Sequence, residues 1–406
     1  MYAIPKAIMR RWLFWSTVPW LLPQALWVKR RTPRFAAPAG AERGHVDVAG
    51  SSSARLRLLG LGDSIIAGVG AQAAEECLTA RLAQQIEALG FDILLCPDTQ
   101  NLSPDPFAQL ALAAQTTTRL KLGTGVTNPV TRDVAVTACA LATLQAESQG
   151  RVICGIGRGD SSAAHIGIRN GTTAQLRTFV QRLQAYTRGE TIDRDGTPSR
   201  LRWFDSLKVD PVIVDVACTG PQTIAMAVDV GDRVSFAVGS APERIRWAMD
   251  VALARLKETG RPRESLRIGA YVNLVCDPDE QRAINLGRMI SGMVAHFAGM
   301  KDAPLDHLPE KLKTLAAHMQ SGYDMKHHAQ EEGQHLQVVP DDFVDWFSIC
   351  GPPAKCRARL GELIDMGLDH VYQLGGSPVP HPHGARQAAM VEQARLFATE
   401  VIPHFR

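Results

Sequence analysis

Beyond residue 54 the chain alternates between short apolar runs and longer stretches with helical spacing. The candidate strands are "RLRLLGL" at 55–61, "FDILLC" at 91–96, "LKLGTG" at 120–125 and "RVICGIG" at 151–157. They continue with "PVIVDVA" at 211–217, "RVSFAV" at 233–238, "RIGAYVNLV" at 267–275 and "HVYQL" at 370–374. Between them, apolar residues spaced for one helical face predict helices over 75–89, 105–116, 132–149, 172–188, 220–230, 241–259 and 384–400. Strands that are apolar almost throughout are buried on both faces, as in a parallel sheet covered by helices. Eight strand–helix units favour a closed barrel, with an open doubly wound sheet as the alternative. The polar stretch 279–350 reads as a helical insertion between the seventh and eighth strands. The expected fold is therefore α/β: a (β/α)8 TIM-type barrel with a helical insertion before the last strand and an irregular N-terminal extension. It divides into a leader and linker over 1–54, a strand–turn fragment over 55–81 that can serve as the first barrel strand, and the barrel proper over 82–406.

The leader breaks this pattern. Four of the seven tryptophans, Trp12, Trp15, Trp20 and Trp27, lie in its first thirty residues. The uncharged run 12–28 lies between Arg10–Arg11 and Lys29–Arg31, and Pro19 and Pro23 interrupt it. It is at the short limit for a spanning helix. Tryptophans with flanking basic residues suit a membrane interface. A weak membrane contact through residues 12–28 and a poorly ordered tail both remain open. No small-residue cleavage site follows, which argues against a removable signal peptide. The 32–53 segment, rich in Ala, Pro, Gly and Ser, is a linker.

Composition adds limits. With 406 residues, 45% hydrophobic and 21% charged, the chain has the make-up of an ordinary globular protein. A net charge of +3 without a basic stripe argues against nucleic acid as a partner. Eight cysteines are scattered from Cys77 to Cys356 with no CxxC pair, which indicates reduced thiols in the cytoplasm rather than a disulfide framework. The histidines of "KHH" at 326–328 and "HPH" at 381–383 lack carboxylates at ligand spacing, and no metal site is expected.

Candidate chemistry begins at "LGLGDSIIAGVG", Leu59 to Gly70, where an apolar strand runs into Gly-Asp-Ser with the serine at Ser64. This block resembles the opening of the GDSL (SGNH) serine esterases and lipases, and the resemblance covers roughly Trp12 to Arg81. It implies a nucleophile at Ser64, which needs a base and oxyanion donors. None of the five asparagines is followed by Asp, so that family's Gly-x-Asn-Asp block has no counterpart. Its Asp-x-x-His occurs at Asp324–His327, inside the polar insertion rather than near the C-terminus. The segment reads as a fused fragment. A serine esterase acting through Ser64 and a fusion product without activity stand as alternatives.

Further along come three loops at the ends of candidate strands. "GIGRGDSS", Gly155 to Ser162, follows the fourth strand, and its glycines permit close backbone approach to a ligand. Gly157, Arg158, Gly159, Asp160, Ser161 and Ser162 make a phosphate cradle, or else a plain glycine-rich turn. "TGPQT" at 219–223 places Thr219, Gly220, Pro221 and Gln222 at a helix start that favours an anion, or is an ordinary cap. "GTGVTNP" at 123–129 ends the third strand and buttresses a ligand, or else is a plain β-bulge with a capping Asn. Asp98 ends the second in "LCPD", where a buried carboxylate could move a proton, or could be a capping or salt-bridged Asp.

The stretch "LKLGTGVTNPVTRDVAVTACALATLQAESQGRVICGIGRGDSSAAHIG" at 120–167 strongly resembles the luciferase-like monooxygenase family, closest to its methylenetetrahydromethanopterin reductase branch. "ALGFDILLCPDTQ" at 88–100, "DVACTGPQTIAMAVDVGDRVSFAVGSAPERIRWAMD" at 215–250 and "FSICGPPAKCRARLGELIDMGLDHVYQL" at 347–374 continue the match in register, over about Thr79 to Arg406. The resemblance implies an oxidoreductase using coenzyme F420, with FMN as the alternative, that acts on a small-molecule substrate by hydride transfer or monooxygenation. A homodimer is left open as its assembly. The resemblance also implies a cis peptide at Gly125–Val126 that bulges against the ring, with Thr127 and Asn128 bonding the ring edge. Residues 157–162 and 219–222 would hold the phosphate-bearing tail, and Asp98 would be the catalytic acid. The family's own first strand is not recognisable; "RLRLLGL" stands in its place.

Overall fold

In the computed structural model the described residues are 57–61, 78–204, 209–298, 313, 339–375 and 385–406. Ser64, the leader with its 12–28 run, and both histidine clusters lie outside them. The strands are β1 Arg57–Leu61, β2 Ile93–Cys96, β3 Lys121–Thr127, β4 Val152–Ile156, β5 Ile192–Arg194, β6 Thr197–Ser199, β7 Ile213–Cys218, β8 Arg233–Phe236, β9 Arg267–Cys276, β10 Ile349–Gly351 and β11 His370–Leu374. Nine of them hydrogen-bond in the order β10-β9-β11-β1-β2-β3-β4-β7-β8, and β8 also pairs with β9. Setting aside β10, which pairs only with β9, the other eight close a ring of parallel strands. The barrel is closed, and the open-sheet alternative falls. The stand-in first strand takes its place: Gly60 is opposite Leu94 of β2, and Arg57 is opposite His370 of β11.

Strand alternation sorts the core into two clusters. Leu94, Leu122, Val152, Val214, Val234 and Ile268 join the layer between the strands and the helices. Their neighbours Ile93, Leu95, Ile153, Tyr271 and Tyr372 pack inside the ring. The helices start where the sequence supplies caps. Asp105 accepts from the backbone N–H groups of Phe107 and Ala108, Asp133 accepts from Ala135, and Thr172 forms a reciprocal capping box with Gln175. Helices Pro221–Val230, Pro242–Thr259 and Pro353–Asp365 open on proline.

Two features depart from expectation. The insertion is helical where described, as Glu280–Ala298 and Asp341–Phe347, but it is not a polar appendage. Ile284, Ile290, Phe343, Val344 and Phe347 belong to the same apolar cluster as the barrel interior. The insertion also adds β10 alongside the end of β9, with Ile349 opposite Leu274. A hairpin, β5–β6, appears between the fourth and fifth barrel units, turning on Asp195 and Gly196, both with positive φ. Among the described residues no helix is long and apolar enough to cross a membrane.

Candidate active site

The end of β3 departs from regular strand. The Gly125–Val126 peptide is cis, and the register against β4 breaks between Thr124 and Thr127. The bulge fits because β4 carries glycines beside it. A Cβ on Gly155 would fall 2.1 Å from the Thr124 carbonyl oxygen, and one on Gly157 would fall 3.2 Å from Val126 Cγ2. Two hydrogen bonds fix the bulge from that side: Thr124 Oγ1 donates to the Gly155 carbonyl at 2.7 Å, and Gly157 N–H donates to the Thr127 carbonyl at 2.9 Å.

From the other side Asp98 holds it. This carboxylate is only 2% exposed and accepts from Thr127 Oγ1 at 2.7 Å and from Arg132 Nε at 2.9 Å and Nη2 at 3.1 Å. Arg132 also reaches Asp105 at 2.7 Å and lies over the Phe107 ring. With Arg132 paired to it, of the readings open for Asp98 the structure displays the salt-bridged one. Asp98→Ala would leave Thr127 and Arg132 short of an acceptor in a buried setting. The expected cost is about 3 kcal/mol, at the low end for breaking a buried pair because Arg132 keeps Asp105. Urea melts of the variant and of wild type measure it, and equal midpoints would refute it.

Asn128 is fully buried. Its Oδ1 accepts from the Val130 and Thr131 N–H groups at 3.0 and 2.9 Å, and its Nδ2 donates to Ser162 Oγ at 3.1 Å. The Thr127 and Asn128 side chains thus both bond within the protein, so any bond from these two residues to a ring edge falls to their backbone. Gly125 and Val126 are half-buried and are the most accessible parts of the bulge.

The loop after β4 is locked to the bulge. Gly159 has φ +80°, and a Cβ there would lie 2.8 Å from Asn128 Cβ. Gln100 Nε2 donates to the Ser162 carbonyl at 2.7 Å. Arg158 Nε donates to the Gly171 carbonyl at 2.6 Å, and Gly171 N–H returns to Arg158 O at 2.8 Å. Asp160 and Ser161 begin a short helical turn, Ser161–Ala164. On the adjacent strand, β7, the chain leaves through Thr219 into helix Pro221–Val230. Gly220 is its N-cap and gives no side-chain cap bond. Nothing lies within 4 Å of a Cβ built on Gly220, and Gln222 is exposed. Because Ile156 pairs with Val216, the two loops emerge side by side.

A helix start without a side-chain cap, beside a glycine-rich loop, suits an anion. The residues present therefore fit a cofactor with a phosphate-bearing tail. Among the described residues no group of His, Cys, Asp and Glu could hold a metal.

Sequence reading missed a polar cluster inside the barrel. Asp215 of β7 accepts from Ser235 Oγ of β8 at 2.7 Å and from the Tyr372 hydroxyl of β11. His370 Nε2 lies 2.8 Å from Ser235 Oγ and 3.5 Å from Asp215. All four residues are buried. A single polar residue at an inward position of an otherwise apolar strand, as in "VIVDVA" or "RVSFAV", was the available signal.

A closed parallel barrel with a bulged third strand and two glycine-bearing loops emerging side by side has the architecture of a cofactor-binding barrel. Residues 69–370 match the family described as luciferase-like monooxygenase, and the chain belongs to that family. It is 28% identical over 308 residues to the 5,10-methylenetetrahydromethanopterin reductase of Methanolobus tindarius, covering 74% of this chain and 90% of that one. It is 27% identical over 340 residues to the F420-dependent glucose-6-phosphate dehydrogenase of Beutenbergia cavernae, covering 79% and 90%.

Among solved structures it resembles the coenzyme F420-dependent tetrahydromethanopterin reductase from Methanopyrus kandleri, with TM-score 0.64, 23% identity and coverage of 86% and 99%. It also resembles the FMN-bound oxygenating component of 3,6-diketocamphane monooxygenase from Pseudomonas putida, with TM-score 0.57, 16% identity and coverage of 86% and 98%. The family match begins after Ser64, and these matches do not support the esterase-like fragment.

Proposed function

We propose that this chain is an F420-dependent oxidoreductase acting on a small organic molecule. The observation that carries the reading is the β3 bulge, braced by Gly155 and Gly157 and lying beside two loops suited to a phosphate. Residues 157–162 and Thr219, Gly220, Pro221 and Gln222 hold the phosphate-bearing tail through backbone N–H groups and hydroxyls. Val126 and the 125–128 backbone support the ring. Asp98 acts as a positioning residue: with Arg132 it fixes Thr127 and hence the bulge. The cofactor, when bound, supplies hydride exchange at its ring, and the protein supplies binding and orientation. FMN is the second reading, favoured by the likeness to an FMN-bound monooxygenase.

The test is titration of the purified protein with oxidised F420 and, separately, with FMN, following ligand fluorescence. Saturable quenching by F420 in the micromolar range is expected. Saturation by FMN alone would move the protein to the flavin branch. No binding of either by a cooperatively melting protein would mean that the unusual first strand has cost the chain its site.

A further inference from the structure

Asn273 is fully buried, and neither its side-chain Nδ2 nor its Oδ1 has a hydrogen-bond partner. It lies between Tyr271 and Val275 on β9, both members of the cluster inside the ring, whereas Val272 and Leu274 belong to the outer layer. By strand alternation Asn273 faces the barrel interior. It sits toward the C-terminal end of the strand, opposite Leu374 of β11. That is the end of a barrel where sites are built. The nearby Ser240 hydroxyl donates to the Asn273 backbone carbonyl at 3.4 Å and leaves the amide side chain unanswered. A buried donor and acceptor left open together are costly, and asparagine is poorly suited to a strand interior. A leucine of similar size would avoid both penalties.

The position gives the residue a use. Around the ring β1-β2-β3-β4-β7-β8-β9-β11, the third strand and the seventh are four places apart. Asn273 therefore projects from the wall across the barrel from the Gly125–Val126 bulge. Under the function proposed above, on which this inference rests, one face of the ring lies against the bulge. The other face looks toward β9, and the substrate must lie between them. A carboxamide offers N–H donors and a carbonyl acceptor from one planar group. It can accept from a hydroxyl and donate to a carbonyl without changing its own protonation.

We infer that Asn273 binds the substrate's reacting oxygen. The substrate class is a small molecule whose reacting carbon bears a hydroxyl when reduced and a carbonyl when oxidised. In the oxidising direction the carbon gives up a hydride and the oxygen its proton, and the oxidised cofactor takes up both. Tyr271, packed at a 35° tilt against Tyr372 with ring centroids 4.9 Å apart, forms the floor of the position one inward residue below.

Asn273→Leu tests this in three readouts. The cofactor-free variant should melt a few degrees higher than wild type, because the orphaned amide is gone. It should bind F420 within twofold of wild type. With F420 loaded and 2-propanol, 2-butanol and cyclohexanol as probes, wild type should consume oxidised cofactor with at least one of them, and the variant's KM for that alcohol should rise at least tenfold. An unchanged KM would assign Asn273 a purely structural place and overturn the inference. So would a wild type that binds F420 yet neither oxidises these alcohols nor, with reduced cofactor, reduces their ketones. A wild type that binds neither F420 nor FMN would instead overturn the functional reading, and this inference with it. Should the leucine variant fail to fold, Asn273→Ala provides the same kinetic comparison.

Discussion

A single methyl group at Gly155 is expected to weaken cofactor binding at least about a hundredfold and to remove a large share of the protein's stability. The added Cβ would lie 2.1 Å from the Thr124 carbonyl oxygen, far inside contact distance. The obstacle is backbone, so no side chain can rotate away. Nor can Thr124 withdraw easily, because its hydroxyl is bonded to the Gly155 carbonyl itself at 2.7 Å. Relief requires moving β3 away from β4 at the bulge. Overpacking costs about 1–3 kcal/mol and occasionally more; a clash against backbone in a closed barrel belongs at about 3 kcal/mol. Because the displaced segment is the one proposed to support the ring, F420 affinity should fall at least about a hundredfold, close to 2.7 kcal/mol.

Thermal melts and fluorescence titration of Gly155→Ala measure the two effects. Gly220→Ala is the stability control: a Cβ there meets nothing within 4 Å, so only the loss of a glycine N-cap is felt, at about 1 kcal/mol or less. If Gly155→Ala melts like that control, β4 does not brace the bulge in the way described.

The contrast between those two glycines shows how much of the site was legible in the sequence. Both sit in loops or strands whose glycine pattern marks a site, and "GIGRGDSS" and "TGPQT" look alike as strings. Only the register of β4 against β3 reveals that one glycine is filled to contact while the other opens onto space. The barrel itself was readable because each of its strands is an apolar run, and such runs are sensitive only to being buried. The insertion was misjudged because Ile284, Ile290 and Phe343 are spread at helical spacing among charges, so local polarity hides one buried face.

The β5–β6 hairpin carried its Asp-Gly turn signal, but its strands, "IDR" and "TPS", show no apolar alternation. Asp98 was found by its place at a strand end. Its partner Arg132 is 34 residues away, and no local pattern could indicate that the carboxylate would be occupied. The interior cluster is the extreme case: Asp215, Ser235, His370 and Tyr372 come from three strands and meet only because the ring closes.

That cluster should make acid the condition that separates wild type from an Asp215 variant. Asp215 is buried, and burial alone would raise its carboxyl. The hydrogen bond and charge of His370, followed by the hydroxyls of Tyr372 and Ser235, outweigh this and hold it below the usual carboxylate range. A carboxylate whose folded-state value lies below its unfolded value of about 3.9 stabilises the fold fully only above that value, and the contribution is lost as pH falls through the lower, folded one. The relevant window therefore runs from about pH 4 downward.

Asp215→Asn removes the charge and turns an N–H2 group toward one of its two hydroxyl donors, Ser235 or Tyr372. Breaking a buried charged pair in this way costs about 3–5 kcal/mol. At pH 7 the variant should be less stable than wild type by roughly that amount. Toward pH 3 the gap should narrow, because wild type is then losing what the variant never had. Other carboxylates titrate alike in both proteins, so the difference between the two curves isolates Asp215. Urea unfolding at pH 7, 5 and 3 measures that difference. Curves that run parallel across all three would show that Asp215 titrates alike in the folded and unfolded chains, and a gap that widens toward acid would show that it is protonated in the folded barrel; either result would overturn the charged cluster.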